Sequence, residues 1–492
     1  MHGTFQVFLD FKWGFCFIES EPTHRLVLWH THTRTLMAVF DHLDDDGQPP
    51  LPNDHSEDDV RRFRELLRNG GKDINNPEAL EEIIQFYFEH DKFDEALHYS
   101  DRLLSFEPFS SDAWQRKGMI LNNMTRYDEA LSCYDRATSL NPTDPEVFIN
   151  RGITLDNMER VEEAMASFKR AFEIDPSNDE ALFHQAVTLE KEERYEEAVD
   201  LFHQVLQMSP DHIDVWYELG YCYDFLEKLE DSVRCYEEHL NGDPYNFNAW
   251  YNKGIVLNRM GQFSRAVESY EYALAIKEDF PSAWYNLGNA FANLGRLHDA
   301  IRCYKTTLEY EKGDIPAWHN LGNAWEELGD YQQALTCYEE VLKKDPKHHE
   351  SVFGKGCCYD AMGETAQALE CYHSAAILAP DAAEYWYACG DAEYNLGRPE
   401  KSLQYYRTVL QLQPENADAW YDYGDTLLEL GRVQTALHAL RKSVELAPEF
   451  ALAFQSLGRA FELLGRQTEA REAFERAYTL MPDLRTTPGE KK

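Results

Sequence analysis

Proline recurs at intervals of 34 residues through most of this 492-residue chain. Ten prolines keep the spacing, five between residues 108 and 244 and five between residues 346 and 482. Glu278 and Lys312 occupy the two places without proline, so the run contains no net insertion. A fixed period of roughly 20 to 50 residues is typical of proteins built from stacked repeats. The period therefore outweighs the about two to four domains that chain length alone would suggest.

Small and aromatic residues follow the same period. With Ser111 as place 1 of a repeat, place 8 is mostly glycine, place 20 mostly alanine, place 4 mostly tryptophan and place 24 mostly tyrosine or phenylalanine. Within one repeat, Trp284, Gly288 and Phe291 have the spacing of a single helix face. The pattern predicts two amphipathic helices per repeat, with small residues where the helices approach closely and proline ending the second helix.

This order of W-x2-L-G-x2-Y, then A-x3-F/Y, then P resembles the tetratricopeptide repeat. Eleven units run from 111–144 to 451–484, and a twelfth, 77–110, is degenerate because Leu80 and Ile84 replace the tryptophan and the glycine. The resemblance implies an all-α fold, a right-handed α-solenoid (superhelix) of antiparallel helix pairs. It also implies that the first helices line a concave groove.

The N-terminal segment, residues 1–40, follows no repeat rule. Its alternating residues suggest two short strands, so we expect an irregular or weakly β segment. His30 and His32 have the spacing of a metal pair on a strand, but the sequence offers no evident third ligand. We therefore expect no metal site.

Residues 41–76 and 485–492 flank the predicted array of residues 77–484. The segment 41–59 combines eight acidic residues with three prolines and has no Lys or Arg, which is typical of a solvated linker. Ser56 then begins a short predicted capping helix. The tail 485–492 is too short to cap the array, and Ala473, Phe474, Ala477 and Leu480 are expected to be half-exposed there. We expect weak self-association through this C-terminal end.

The chain carries 88 acidic and 47 basic residues, for a net charge of −41. Such an excess disfavours nucleic-acid partners, whose phosphates would be repelled, and disfavours docking on an anionic membrane. The sequence has no run of 18 or more uncharged apolar residues, so we expect no membrane insertion.

Cysteine recurs at place 23 in five repeats, beside the aromatic residue at place 24. This placement predicts small core side chains with no role in metal binding or disulfide bonding. We infer a reducing, cytoplasmic location. The chain has no G-x-S-x-G, H-E-x-x-H or Walker A motif, and the unbroken period leaves no room for a catalytic insertion. We therefore expect a protein that is not an enzyme and needs no cofactor.

Places 5, 6, 9 and 12 of the first helix face the side that the resemblance assigns to the groove. Place 5 is mostly aromatic, and asparagine or aspartate recurs at places 6 and 9. The candidate peptide-binding residues are Tyr217, Tyr251, Asn252, Tyr285, Asn286, Asn289, His319, Asn320, Asn323, Tyr387, Asp391, Tyr421, Asp422 and Asp425.

An asparagine amide can both donate to and accept from a peptide backbone, so a row of them suits an extended chain of varied sequence. The acidic residues on the same face favour a neutral or basic segment. Two alternatives stay open: tyrosine and asparagine at these places are also common consensus residues, and the acids also fit solvated helix faces.

These features predict a non-catalytic scaffold that binds a protein or peptide partner in its groove. An adaptor subunit of a glycosyltransferase-like or other enzyme system, with catalysis on another chain, is one alternative. A structural assembly subunit is the other.

Overall fold

Residues 77–485 are described by a computed structural model, in which they belong to two units, 77–261 and 262–485. The N-terminal unit contains α1 (Pro77–Glu89), α2 (Phe93–Phe106), α3 (Ser111–Asn123), α4 (Tyr127–Leu140), α5 (Pro145–Asn157), α6 (Val161–Ile174), α7 (Asp179–Lys191), α8 (Tyr195–Met208), α9 (Ile213–Phe225), α10 (Leu229–Gly242) and α11 (Phe247–Arg259). The predictions for residues 1–76 and for the tail beyond Arg485 lie outside the described residues.

The C-terminal unit begins with α12 (Phe263–Ile276) and ends with a 3-10 turn, Pro482–Arg485. Between them lie α13 (Pro281–Asn293), α14 (Leu297–Tyr310), α15 (Ile315–Glu327), α16 (Tyr331–Lys344), α17 (His349–Ala361), α18 (Thr365–Leu378), α19 (Ala383–Asn395), α20 (Pro399–Leu412), α21 (Ala417–Glu429), α22 (Val433–Leu446), α23 (Ala451–Leu463) and α24 (Gln467–Leu480).

Inside each unit, the first helix of a repeat packs against the second helix of the same repeat, and that second helix packs against the first helix of the next repeat. First helices have 13 residues and second helices have 14. The prediction of an all-α solenoid of paired helices is confirmed.

Side-chain caps explain where many first helices begin. The residue at place 34 ends the preceding repeat, and its side chain accepts a hydrogen bond from a backbone N–H in the first turn of the next helix. Ser110, Asn178, Asn246, Asp314 and Asn416 each bind the N–H three residues later. The cap satisfies a donor that has no partner within the helix.

Tryptophan at place 4 ties six of the first helices to the loop that precedes them. Its indole N–H donates to the backbone carbonyl six residues earlier, at place 32 of the preceding repeat, at 2.8 to 3.2 Å. The donors are Trp114, Trp250, Trp284, Trp318, Trp386 and Trp420. The bond is also present where Glu278 and Lys312 replace the proline, because the acceptor is the main-chain oxygen of that residue.

Glycine at place 8 makes room for the aromatic ring at place 24 of the same repeat. A Cβ added to Gly118 would lie 2.5 Å from the ring of Tyr134, and one added to Gly322 would lie 2.7 Å from the ring of Tyr338. Real Cβ contacts are longer than this, so the ring and a side chain at place 8 cannot both fit without movement.

In the degenerate first repeat, the large residue is at place 8 and the small residue is at place 24. Ile84 occupies place 8 and Ser100 occupies place 24, with 2% and 1% of their surfaces exposed. The bulk thus moves from the second helix to the first. The Ser100 hydroxyl is left buried without a hydrogen-bond partner.

The turn inside each repeat requires a positive φ at place 15. Seven glycines from Gly261 to Gly465 supply it in the later repeats, with φ between 69° and 81°. In the first five repeats, a non-glycine residue has the positive φ at place 15. These residues are Asp91, Thr125, Glu159, Glu193 and Glu227. Residues with a Cβ are strained in this conformation, so these five turns carry a cost that the later turns do not.

Candidate functional site

All fourteen candidate binding residues lie on first helices. The N-terminal unit holds Tyr217 on α9 and Tyr251 and Asn252 on α11, and the C-terminal unit holds the other eleven on α13, α15, α19 and α21. Eleven of the fourteen side chains are partly exposed, while Asn320, Asn323 and Tyr387 are buried.

A hydrogen bond of fixed register links successive first helices. The hydroxyl at place 5 of one repeat pairs with the side chain at place 6 of the next repeat, 35 residues later. The pairs are Asn252 with Tyr217 and Asn320 with Tyr285, both at 3.0 Å, and Tyr387 with Asp422. The predicted face is therefore joined from repeat to repeat by its own polar side chains.

A second set of hydrogen bonds runs from the second helix to the first helix of the same repeat. The tyrosine hydroxyl at place 24 donates to the side-chain oxygen at place 9. The pairs are Tyr304 with Asn289 at 2.9 Å, Tyr338 with Asn323 at 2.8 Å and Tyr406 with Asp391 at 2.7 Å. The place 24 rings are part of the core, so each bond holds a place 9 side chain of the candidate face from the core side.

Two asparagines of the candidate set, Asn320 and Asn323, already use their side-chain amides in hydrogen bonds within the protein. The Asn320 amide donates to the hydroxyl of Tyr285 and, at 2.9 Å, to the side-chain oxygen of Asn289, and Asn320 is 1% exposed. The Asn323 amide donates to Nε2 of His319 at 3.2 Å. Neither side chain lies at the surface as the sequence suggested, because stacking of the repeats brings polar partners onto it.

His319 replaces the tyrosine at place 5 and is held as a neutral ring. Its Nε2 accepts from Asn323, so its Nδ1 carries the proton and donates to the hydroxyl of Ser351 at 2.8 Å. Burial, with a smaller contribution from the nearby His348, lowers the pKa of His319 to about 3.

Asp391 and Asp422 lie on adjacent repeats, and each accepts a hydrogen bond from a tyrosine hydroxyl of the repeat 383–416. Burial raises the pKa of Asp391 to about 7, against the opposing effect of the hydrogen bond from Tyr406. Burial and the charge of Asp391 together raise the pKa of Asp422. Within residues 77–485, neither carboxyl forms an ion pair. Asp425, on the same helix as Asp422, accepts from the hydroxyl of Ser456 at 2.6 Å.

The C-terminal end is better covered than the sequence suggested. Ala473 and Ala477 are 6% and 0% exposed, so the expectation that both are half-exposed is wrong. They are covered because α24 turns these small residues onto α23. Leu463 and Met481 are instead the exposed apolar side chains of this end, at 65% and 42%.

None of the helices between residues 77 and 485 combines the length and the apolar character that a membrane crossing requires. In the same range, no three His, Cys, Asp or Glu side chains are grouped as metal ligands. Of the nine cysteines described there, all are free and Cys371 is the one that is not buried.

Sequence profiles of the tetratricopeptide repeat match the chain along most of the described region. The matches are 111–144, 149–213, 189–251, 281–314, 315–348, 354–417, 390–449 and 421–485, and a profile described as TPR repeat matches 256–295. The chain belongs to the tetratricopeptide repeat family, and this membership marks it as a protein-interaction scaffold.

Among solved structures, the chain is similar to the MamA protein at 27% identity, covering 34% of this chain and 92% of that one with a TM-score of 0.33. It is similar to YrrB, described as a TPR protein with an unusual peptide-binding site, at 22% identity over 37% and 93% with a TM-score of 0.34. A tetratricopeptide repeat protein from Parabacteroides merdae is 16% identical over 51% and 98% with a TM-score of 0.40. No curated protein matches the chain.

Proposed function

We propose that the first helices of the C-terminal unit bind an extended peptide segment with neutral or basic side chains. The surface consists of the partly exposed members of the candidate set on α13, α15, α19 and α21. It offers aromatic edges from Tyr285 and Tyr421, and carboxyl groups from Asp391, Asp422 and Asp425.

The observation that carries this proposal is the state of the two tyrosine-bound carboxyl groups. Asp391 and Asp422 accept from Tyr406 and Tyr387, and neither has a cationic partner within residues 77–485. Each group carries a cost when ionised, because like charges lie together in a partly desolvated place. A Lys or Arg side chain of a ligand would remove that cost, whereas an acidic ligand would raise it.

Recognition by an asparagine ladder contributes less than the sequence suggested. The amide donors of Asn252, Asn320 and Asn323 are engaged with neighbouring side chains. Selectivity in this proposal therefore rests on charge and on aromatic contact, while these three asparagines keep the helices in register.

The experiment compares three fluorescently labelled twelve-residue peptides on the full chain by anisotropy. All have a Gly/Ser background, with alternate positions filled by Lys, by Ser or by Glu. We expect the Lys peptide to bind most tightly and the Glu peptide most weakly, with a preference that shrinks as salt screens the charges. Equal affinity for the three peptides would contradict the proposal.

A matched pair of variants locates the binding. Asp391→Asn, Asp422→Asn and Asp425→Asn together should weaken binding of the Lys peptide by about tenfold, as expected for partly desolvated charge pairs. The control removes three exposed carboxylates of the same unit, with Glu309→Gln, Glu370→Gln and Glu415→Gln. Both triple variants change the net charge equally, so a similar loss in both would show a nonspecific effect of charge.

Self-association through the C-terminal end is a second candidate, favoured by the exposed side chains of Leu463 and Met481. We expect light scattering to show a mass that rises with concentration and a smaller rise for Leu463→Asn. A strictly monomeric mass at high concentration would rule it out.

A further inference from the structure

Two acidic side chains, Glu190 and Glu218, meet between two first helices of the N-terminal unit, whereas the proposed peptide surface belongs to the C-terminal unit. Glu190 lies near the end of α7 and is partly exposed, and Glu218 lies in the middle of α9 with 3% of its surface exposed. The two carboxyl groups are hydrogen-bonded to each other. Two carboxylates cannot form such a bond, because each offers acceptors alone, so one of them holds a proton.

We propose that Glu190 and Glu218 share one proton that fastens α7 to α9, and that loss of this proton loosens the contact. In the closed arrangement, the Glu190 carboxyl donates to the Glu218 carboxylate. The thiol of Cys222, one turn further along α9, lies 3.8 Å from Oε2 of Glu190 and donates to it. After loss of the proton, two carboxylates face each other in a site with little access to water.

The surroundings decide which group holds the proton. Burial, followed by the charge of Glu218, raises the pKa of Glu190 well above its ordinary value. Burial raises the pKa of Glu218 to about 7, although the hydrogen bond from Glu190 opposes the rise. Glu190 is therefore the protonated member at neutral pH.

Charged and titratable side chains from the neighbouring helices also surround the pair. Lys191 lowers the pKa of both carboxyls, but its ammonium is bound to Asp156 on α5 at 2.5 Å. Asp214 on α9 opposes it by raising the pKa of Glu218. The remaining titratable neighbours are neutral near pH 7: Tyr195 on α8, Tyr217, Tyr221 and Cys222 on α9, and Tyr236 on α10.

An aromatic cluster lies near the pair. Tyr195 stacks on Phe225 with ring centroids 4.9 Å apart, and Tyr221 lies 4.8 Å from the same ring. Phe225 is 46% exposed, so this cluster lies partly at the surface. Loosening of α7 from α9 would also move Tyr217, whose hydroxyl accepts from Asn252 on the next first helix.

The direction of the effect follows from linkage. A carboxyl whose pKa is higher in the closed form than in the opened form stabilises the closed form at low pH, and the stabilisation is lost as pH rises through the closed-form value. Glu218, with a pKa of about 7 when closed and an ordinary value when opened, alone makes opening about thirtyfold more frequent at pH 8.5 than at pH 5.5. Glu190, whose closed-form pKa is also raised, acts in the same direction, so the expected increase is at least about thirtyfold.

The test is hydrogen–deuterium exchange of the full chain at both pH values, corrected for the intrinsic pH dependence of amide exchange. We expect peptides from α7 and α9 to exchange more at the higher pH by the factor above, while peptides from α3 and α4 in the same unit change less. Corrected exchange in α7 and α9 that is equal at the two pH values would overturn the proposal.

Two variants assign the effect to the pair. Each of Glu190→Gln and Glu218→Gln leaves one ionisable member and removes the repulsion between two carboxylates, so either variant should reduce the pH dependence. Glu197→Gln is the control, because that exposed carboxylate on α8 pairs with Arg194 and should leave the pH dependence in place. A pH dependence as large as that of the wild type in both Glu190→Gln and Glu218→Gln would contradict the role given to this pair.

Discussion

The packing of glycine against the ring at place 24 predicts that two equivalent glycines respond differently to the same substitution. Gly390 on α19 and Gly424 on α21 occupy place 8 in consecutive repeats. A Cβ on Gly390 would lie 2.5 Å from Cε1 of Tyr406, and a Cβ on Gly424 would lie 2.8 Å from Cγ of Leu440. The tyrosine ring is rigid and its hydroxyl is bound to Asp391, whereas a leucine can change rotamer.

The expected free energies of unfolding follow from two opposing effects. Overpacking a core costs about 1–3 kcal/mol, and alanine is about 1 kcal/mol better than glycine inside a helix. The rigid ring places Gly390→Ala toward the upper end of the overpacking cost, so this variant should destabilise its unit by up to about 2 kcal/mol. Gly424→Ala should change stability by less than about 1 kcal/mol, since the leucine can yield.

The N-terminal unit contains a natural example of the tolerated combination. Ala186 occupies place 8 of its repeat and is fully buried, with Phe202 at place 24, also fully buried. Phenylalanine has no hydroxyl to anchor, so its ring can shift slightly to admit the methyl group. Tyr406→Phe should accordingly reduce the cost of Gly390→Ala in the double variant.

Urea unfolding followed by circular dichroism measures these changes, and hydrogen exchange of peptides from α19 and α21 assigns them to a repeat. The local readout matters because the stability of a repeat array is close to a sum over repeats and their interfaces. Equal losses for Gly390→Ala and Gly424→Ala, or no recovery in the double variant, would refute the account of place 8.

Three further predictions concern buried and strained groups. His319 has a pKa of about 3 in the folded protein, below its ordinary value of about 6.5, so the folded state loses stability as the pH falls from about 6.5 towards 3. His319→Gln lacks this titration. The difference between the urea unfolding midpoints of the wild type and His319→Gln should therefore become smaller over that pH range. Glu193→Gly removes the strain of a side chain at a φ of 60° and should raise the free energy of unfolding by about 0.5–1 kcal/mol. Gly295→Ala introduces a side chain at a φ of 69° and should lower the free energy of unfolding by about 1 kcal/mol. Thermal unfolding followed by circular dichroism measures both changes. Cys371 is half-buried and should be alkylated before Cys303, whose pKa burial raises to about 12, in peptide mapping by mass spectrometry; labelling of Cys303 first would contradict this order.

The fold was predictable because its determinants are local and repeat with a fixed period. The spacing of Trp284, Gly288 and Ala300 shows which residues face the partner helix, and the structure places them as expected. Ile84 could be identified as a departure from the pattern. Its compensation by Ser100 could not, because that requires knowledge of which two places touch.

The candidate site was predictable in position but not in its contacts. A helical wheel gives the direction of a side chain on one helix, and it correctly places the candidate residues on the first helices. It cannot show that Asn320 meets Tyr285 and Asn289, because those contacts depend on how far one repeat shifts against the next. The raised pKa of Asp391 likewise arises from burial between repeats, which the composition does not reveal.

The measurement that tests the proposed function most directly is the number of protons exchanged when a basic peptide binds. A cationic ligand beside Asp391 and Asp422 favours their ionised forms, lowers their pKa values and releases protons near pH 7. Calorimetric titration of the Lys peptide in buffers with different ionisation enthalpies gives this number. We expect proton release on binding to the wild type and almost none on binding to the variant that combines Asp391→Asn, Asp422→Asn and Asp425→Asn. Binding without proton release, or equal release in the triple variant, would contradict it.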